Sequence, residues 1–186
     1  MPTVRHVAVI VGSLRRDSIN RKMAHALAAL APPALALAEV PIGDLPHYNS
    51  DLDEIPPPAW TTFRERIAAV DAVLFVTPEY NRSVPGVLKN ALDVGSRPAG
   101  RSAFNGKPGA VVSVSPGAIG GFGANHHLRQ SLAHMNVPTL AHPEAYIGGA
   151  GKLFDEKGAI TVDATREFLT RFMAAFAQWI ERNAPR

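Results

Sequence analysis

Two uninterrupted apolar runs constrain this chain more than any other feature: His6-Val7-Ala8-Val9-Ile10-Val11 and Ala72-Val73-Leu74-Phe75-Val76. Neither alternates apolar with polar residues, so neither suits a sheet with one wet face. Runs of this kind belong to strands covered on both sides, as in a parallel sheet packed between helices. Ala110-Val111-Val112-Ser113-Val114 resumes the same pattern further along the chain.

Each run stops at a polar loop, and helical spacing follows. After the first come Met23, Ala24, Leu27 and Leu30. After the second, Val84, Val87, Leu88, Ala91 and Leu92 share one face of a helix over about 84–94, which packs on the sheet or on another subunit. Ser83 is the expected cap of that helix, with Pro85 in its first turn. After the third, Leu128, Leu132 and Met135 recur over 124–135. Residues 34–40 read as a weaker strand, the Pro-rich stretch 41–58 as an ordered loop with a solvated His47, and 59–69 as a helix. Val137-Pro138-Thr139-Leu140 and Ala145-Tyr146-Ile147 supply a last strand region. From Asp163 to Arg182 the stripe Phe168, Leu169, Phe172, Met173, Phe176, Trp179 and Ile180 marks a helix covering the core. Five strands alternating with five helices give a doubly wound α/β sandwich, expected as one domain over 1–186.

Three loops then matter. Gly12-Ser13-Leu14-Arg15-Arg16-Asp17-Ser18-Ile19-Asn20 leads into a helix, where backbone N–H groups and the helix dipole favour an anion. Ser13 and Ser18 offer hydroxyls, Asn20 an amide and Arg15 a forked cation suited to phosphate. Alone, the same loop also fits an ordinary helix cap with solvated arginines, for it matches neither the dinucleotide fingerprint nor the Walker pattern. Pro78, Glu79, Tyr80 and Asn81 bring a stiff proline, a carboxylate, a ring and an amide to the second loop. Ser115-Pro116-Gly117-Ala118-Ile119-Gly120-Gly121 is built from small residues, so a planar ligand can approach its backbone. In the flavodoxin-like strand order 2-1-3-4-5 these loops converge at the switch point between the first and third strands. FMN has the matching layout, a phosphate at one end and a flat isoalloxazine at the other.

Composition closes off several other classes. There is no cysteine, which excludes disulfides, thiolate metal sites and a cysteine nucleophile. The net charge of +3 is modest and its Arg and Lys are scattered, unlike a nucleic-acid footprint. Adjacent His126 and His127 cannot face one site on a helix, so no metal centre is expected. With no signal-like leader and no run of about 18 apolar residues, a cytoplasmic protein is the expectation.

These residues resemble the NADPH-dependent FMN reductases of flavodoxin-like fold, including bacterial quinone and chromate reductases. The likeness runs from about Val7 to about Ile147 and is carried by Gly12-Ser13-Leu14-Arg15 with Ser18 and Asn20, by Thr77 through Asp93, and by Ser115 to Gly121 with Leu128-Arg129-Gln130. The resemblance implies that Ser13, Arg15, Ser18 and Asn20 hold the FMN phosphate. It places Pro78, Glu79, Tyr80 and Asn81 along the flavin ring and ribityl chain, and Ser115, Pro116 and Gly117 at the isoalloxazine edge. It further implies NADPH as reductant and a dimer or tetramer with subunit contacts through the helices near 84–94 and 124–136. Three positions depart from the quinone and chromate reductase branch: Gly123 where arginine is frequent, Asn125 where glutamine is frequent, and Val94 where tryptophan is frequent.

Chemistry of this kind asks little of side chains, because the cofactor carries the hydride and the protein stacks and orients the rings. No catalytic acid, base or nucleophile is therefore expected, and Glu79 is read as a hydrogen-bond partner. Ser13 and Ser115 lie outside any Gly-x-Ser-x-Gly elbow. The expected reaction passes hydride from NADPH through FMN to a quinone, azo compound, chromate or flavin. The alternative is a flavodoxin-type electron carrier, which a mildly basic surface disfavours. A flavin-sensing module would bind FMN without reacting with either coenzyme.

Overall fold

A computed structural model describes residues 3–183. Five strands and five helices alternate: β1 (Arg5–Val11), α1 (Ile19–Leu30), β2 (Leu35–Glu39), α2 (Pro58–Ala68), β3 (Ala72–Thr77), α3 (Gly86–Gly95), β4 (Gly109–Val114), α4 (Phe122–His134), β5 (Ala145–Ile147) and α5 (Asp163–Asn183). The strands form one parallel sheet in the order β2-β1-β3-β4-β5. Register places Val9 beside Leu74, Phe75 beside Val111 and Val112 beside Ala145.

The pleat explains why the central strands are apolar at nearly every position. Val7, Val9, Val11, Leu74 and Val76 point to one face, where α1 and α5 cover them with Met23, Leu27, Phe172 and Phe176. Ala8, Ile10, Val73, Phe75 and Val111 point to the other, beneath Trp60 and Phe63 of α2, Leu88 and Leu92 of α3, and Leu128 of α4. Every residue of β3 and of β4 is buried. Each large buried side chain contributes about 1.5–3 kcal/mol, and the aromatic stripe of α5 spends its rings on this core.

Two expectations change. Ser83 does not cap α3, whose N-cap is Pro85 with no side-chain hydrogen bond. The Pro85 carbonyl accepts from Leu88 N and Lys89 N, each at 3.0 Å, and Ser83 is released for another partner. Residues 137–140 are not a strand either. They touch the sheet through one parallel bridge, Gly109 to Thr139, because Pro138 lacks the N–H a ladder needs, and β5 shrinks to three residues. Among the described residues no helix is long and apolar enough to cross a membrane.

Candidate functional site

Strands β1, β3 and β4 are neighbours, so the loops at their C-terminal ends adjoin. Gly12 N donates to Val76 O at 2.9 Å, and a Cβ at Gly12 would stand 3.0 Å from Thr77 Oγ1 and 3.4 Å from Pro78 Cδ. The first two loops thus touch through a position where only hydrogen fits without displacing a neighbour. Asn20, in the first turn of α1, donates from Nδ2 to Val114 O at 3.4 Å and so reaches the end of β4. All three loops meet at one rim.

Within the first loop, Ser13, Ser18 and Asn20 are buried and Arg15 is exposed at the lip. Ser18 caps α1, its Oγ accepting from Arg21 N at 3.2 Å. The Arg21 guanidinium donates to Ser13 O at 3.3 Å, Arg15 O at 3.2 Å and Glu39 Oε1 at 3.2 Å. Two loop carbonyls are thereby turned onto a cation. The first turn of α1 carries no acidic residue, so its positive end is left for an anion. Sequence reading passed over Arg21, although its place three residues beyond the Ser18 cap was a usable signal.

Residues 80–83 make a tight turn in the second loop. Tyr80 N donates to Ser83 O and Ser83 N to Tyr80 O, both at 3.0 Å, while Asn81 and Arg82 have φ of 51° and 65°. Those are the dihedrals of a type I′ turn, usually made by Asn-Gly; with Arg at the second position the signature is hidden. Pro78 is buried beneath the turn, while Tyr80 and Asn81 are exposed on it. Glu79 points the other way. Its side chain is 14% exposed, and Oε2 accepts from Ala124 N at 3.1 Å. Ser83 Oγ lies 2.9 Å from His127 Nδ1, the partner it takes instead of α3.

Ser115 is partly buried and Pro116 and Gly117 are exposed in the third loop. Ser115 Oγ accepts from Gly117 N at 3.1 Å, and Ala150 N donates to Ser115 O at 3.1 Å. Below it, buried Asn125 donates to Ser113 Oγ at 3.2 Å and Ala145 O at 3.3 Å, and accepts from Arg129 Nε at 2.8 Å. Phe122, His126 and Tyr146 cluster beside the loop, with the Phe122 and His126 centroids 4.1 Å apart and His126 Nε2 3.1 Å from the Tyr146 hydroxyl. Burial first, and the Glu144 carboxylate second, push the Tyr146 phenol up to about 12.

The sequence profile of the NADPH-dependent FMN reductases matches residues 5–152. A quinone reductase from Pseudomonas putida is 63% identical over 184 residues, 98% of each chain. A 2-hydroxy-1,4-benzoquinone reductase from a Burkholderia species is 48% identical over 94% of this chain and 95% of its own. Among solved structures, the flavoenzyme NAD(P)H:(acceptor) oxidoreductase FerB from Paracoccus denitrificans superposes with a TM-score of 0.93 at 44% identity, covering 98% of this chain and all of that one. The chain belongs to the NADPH-dependent FMN reductase family.

As a family member it is an NAD(P)H–FMN oxidoreductase, and its own residues fit that cofactor. Asn20 Oδ1 is buried and has no hydrogen-bond partner among the described residues. Such an orphaned acceptor costs about 1–3 kcal/mol, and a hydroxyl such as those of a ribityl chain would satisfy it. The glycine at 123 has a local reason: a Cβ there would lie 2.7 Å from Arg82 O. Away from the rim, a cavity of about 520 Å³ opens between α3 and α4, lined by Lys89, Asp93, Arg97, Gln130 and His134 among others.

Proposed function

We propose that this reductase works as a single FMN-binding domain over 1–186, in a cytoplasmic homodimer or homotetramer, passing reducing equivalents from NADPH to a quinone. Ser13, Arg15 and Ser18 take the phosphate end of FMN, and Asn20 beside them keeps its Oδ1, unpaired among the described residues, for a ribityl hydroxyl. Pro78, Tyr80 and Asn81 border the ring and ribityl chain, with Glu79 behind them, its carboxylate turned to Ala124 N, and with Ser115, Pro116 and Gly117 at the ring edge. The observation that carries this reading is the first loop: buried hydroxyls at the start of α1, no acid in its first turn, and two carbonyls drawn off by Arg21. Donors without competing acceptors are what a phosphate requires.

Bound FMN supplies the two-electron chemistry between nicotinamide and acceptor. The chain supplies geometry. Thr77, buried at the end of β3, donates from Oγ1 to Pro78 O at 2.8 Å, which fixes the start of the second loop. Tyr80 offers an exposed ring beside that site. The quinone assignment draws on the names of the relatives at 63% and 48% identity. A homo-oligomer is in keeping with the exposed apolar side chains Leu14, Ile55, Tyr80 and Ile119 in loops that follow strands and Phe122 at the start of α4, since exposed apolar surface often marks a binding face. Cytoplasmic placement follows from the supply of the nicotinamide reductant.

The test is the visible spectrum of the purified protein before and after anaerobic NADPH, followed by a quinone. Flavin bands that bleach with NADPH and return with the quinone, over many turnovers, are expected. A protein that stays colourless with added FMN would overturn the reading, and one that binds FMN without turnover would make it an electron carrier.

A further inference from the structure

The turn that carries Tyr80 and Asn81 is held from outside its own β3–α3 unit. Resting on the flavin reading above, we propose that Glu79 is a positioning residue that fixes this turn against the flavin by docking it on the N-terminus of α4, and that Gly123 is the residue that admits the dock.

Four observations converge on α4. Glu79 Oε2 accepts the Ala124 N–H at 3.1 Å, so the carboxylate satisfies a helix N–H that has no partner within the helix, at the end where a negative charge is favoured. Ser83, at the far end of the turn, meets His127 one turn along the same helix at 2.9 Å. Gly123 stands just before the first of these anchors on α4. A Cβ there would approach Arg82 O to 2.7 Å and Glu79 Oε2 to 3.0 Å, and the first of these contacts is backbone, which cannot swing aside. Finally, Asn81 and Arg82 both sit in the left-handed region, a conformation that is strained for residues other than glycine and needs outside support. The Arg82 guanidinium, 3.6 Å from Glu79 Oε1, faces the oxygen that α4 does not use.

Glu79 therefore acts through Tyr80 and Asn81 and not on the reacting atoms. The experiment compares apoprotein reconstituted with FMN for wild type, Glu79→Ala, Glu79→Gln and Gly123→Ala, reading FMN affinity and the visible circular dichroism of the flavin at saturation. Glu79→Ala and Gly123→Ala should each weaken FMN by about tenfold, the scale of one hydrogen bond to a charged group, and change the dichroism of the bound ring. Glu79→Gln, whose amide oxygen still accepts from Ala124 N, should return most of both. A structural role alone would lower melting temperature and leave the saturated flavin's dichroism as in wild type. Wild-type affinity and dichroism in Glu79→Ala would overturn the proposal, as would Glu79→Gln behaving like Glu79→Ala. Should Glu79→Ala not fold, Gly123→Ala decides by the same two readouts. Failure of the wild type itself to take FMN would instead strike the flavin reading, so the two failures are distinct.

Discussion

The loop after β1 and the loop after β3 face the same rim but are held in opposite ways. The first is fixed largely by its own helix: Ser18 caps α1, and Arg21, three residues on, gathers the carbonyls of Ser13 and Arg15. The second is fixed by α4, more than forty residues away, through Glu79 to Ala124 and Ser83 to His127. A locally held loop forms with its helix and varies little with the rest of the fold. A remotely held one depends on a helix that packs only when the sheet is complete. Under the proposed function the two loops have different work, the first gripping a charge and the second setting the angle of a ring.

Removing Arg15, one of two exposed arginines in the first loop, tests this division most strongly. Arg15→Ala should weaken FMN about tenfold to a hundredfold, the range of a charge-assisted bond to phosphate, and should flatten the salt dependence of binding. Once FMN is saturating, the flavin's visible dichroism should match wild type, because the ring loop is untouched. Titration of flavin fluorescence at two salt concentrations measures the first two effects. A changed dichroism in Arg15→Ala would merge the two loops into one unit and break the comparison.

A smaller effect is expected within the second loop. Arg82 holds φ of 65°, and Arg82→Gly removes that strain while adding freedom to the unfolded chain. The net should be a gain of up to about 1 kcal/mol, read as a higher melting temperature of the apoprotein. A loss of stability would mean that the 3.6 Å contact with Glu79 outweighs the strain, and that the dock depends on charge more than on shape.

The same contrast explains how much could be read from the residues alone. The central strands were legible because both faces are buried, so Ala72–Val76 needed no partner to be recognised. The helix over Asp163–Asn183 announced itself by its stripe. The loop over 12–20 fits a helix cap on its sequence, and Ser18 takes that place with a partner within one turn. Ser83 misleads for the matching reason: a serine before Gly86 looks like a cap, and nothing local reveals that His127 takes its hydroxyl. The turn at 80–83 was hidden because Arg82 stands where glycine would advertise it. The direction of Glu79 was equally hidden, for a carboxylate in a loop does not disclose which distant N–H it meets. Residues 137–140 have the apolar composition of a strand, whereas Pro138 leaves them only a single bridge.

Tyr146 gives the finest test, because it sits where the third loop leans on β5. Ala145 and Ile147 beside it are buried, and its hydroxyl lies against His126 of α4. The phenol is raised to about 12 by burial and by Glu144, above the ordinary value near 10. The sign follows from linkage: a raised value favours the protonated form in the fold, so this contribution is complete below about pH 10 and is lost as pH rises toward 12. Apoprotein stability should therefore fall through that window, and Tyr146→Phe, which has no proton to lose, should flatten the decline. Melting temperatures of both proteins at successive pH values above 9 measure it. Parallel curves would mean that the third loop lets water reach the phenol, which would make it a loosely held loop, unlike either of the other two.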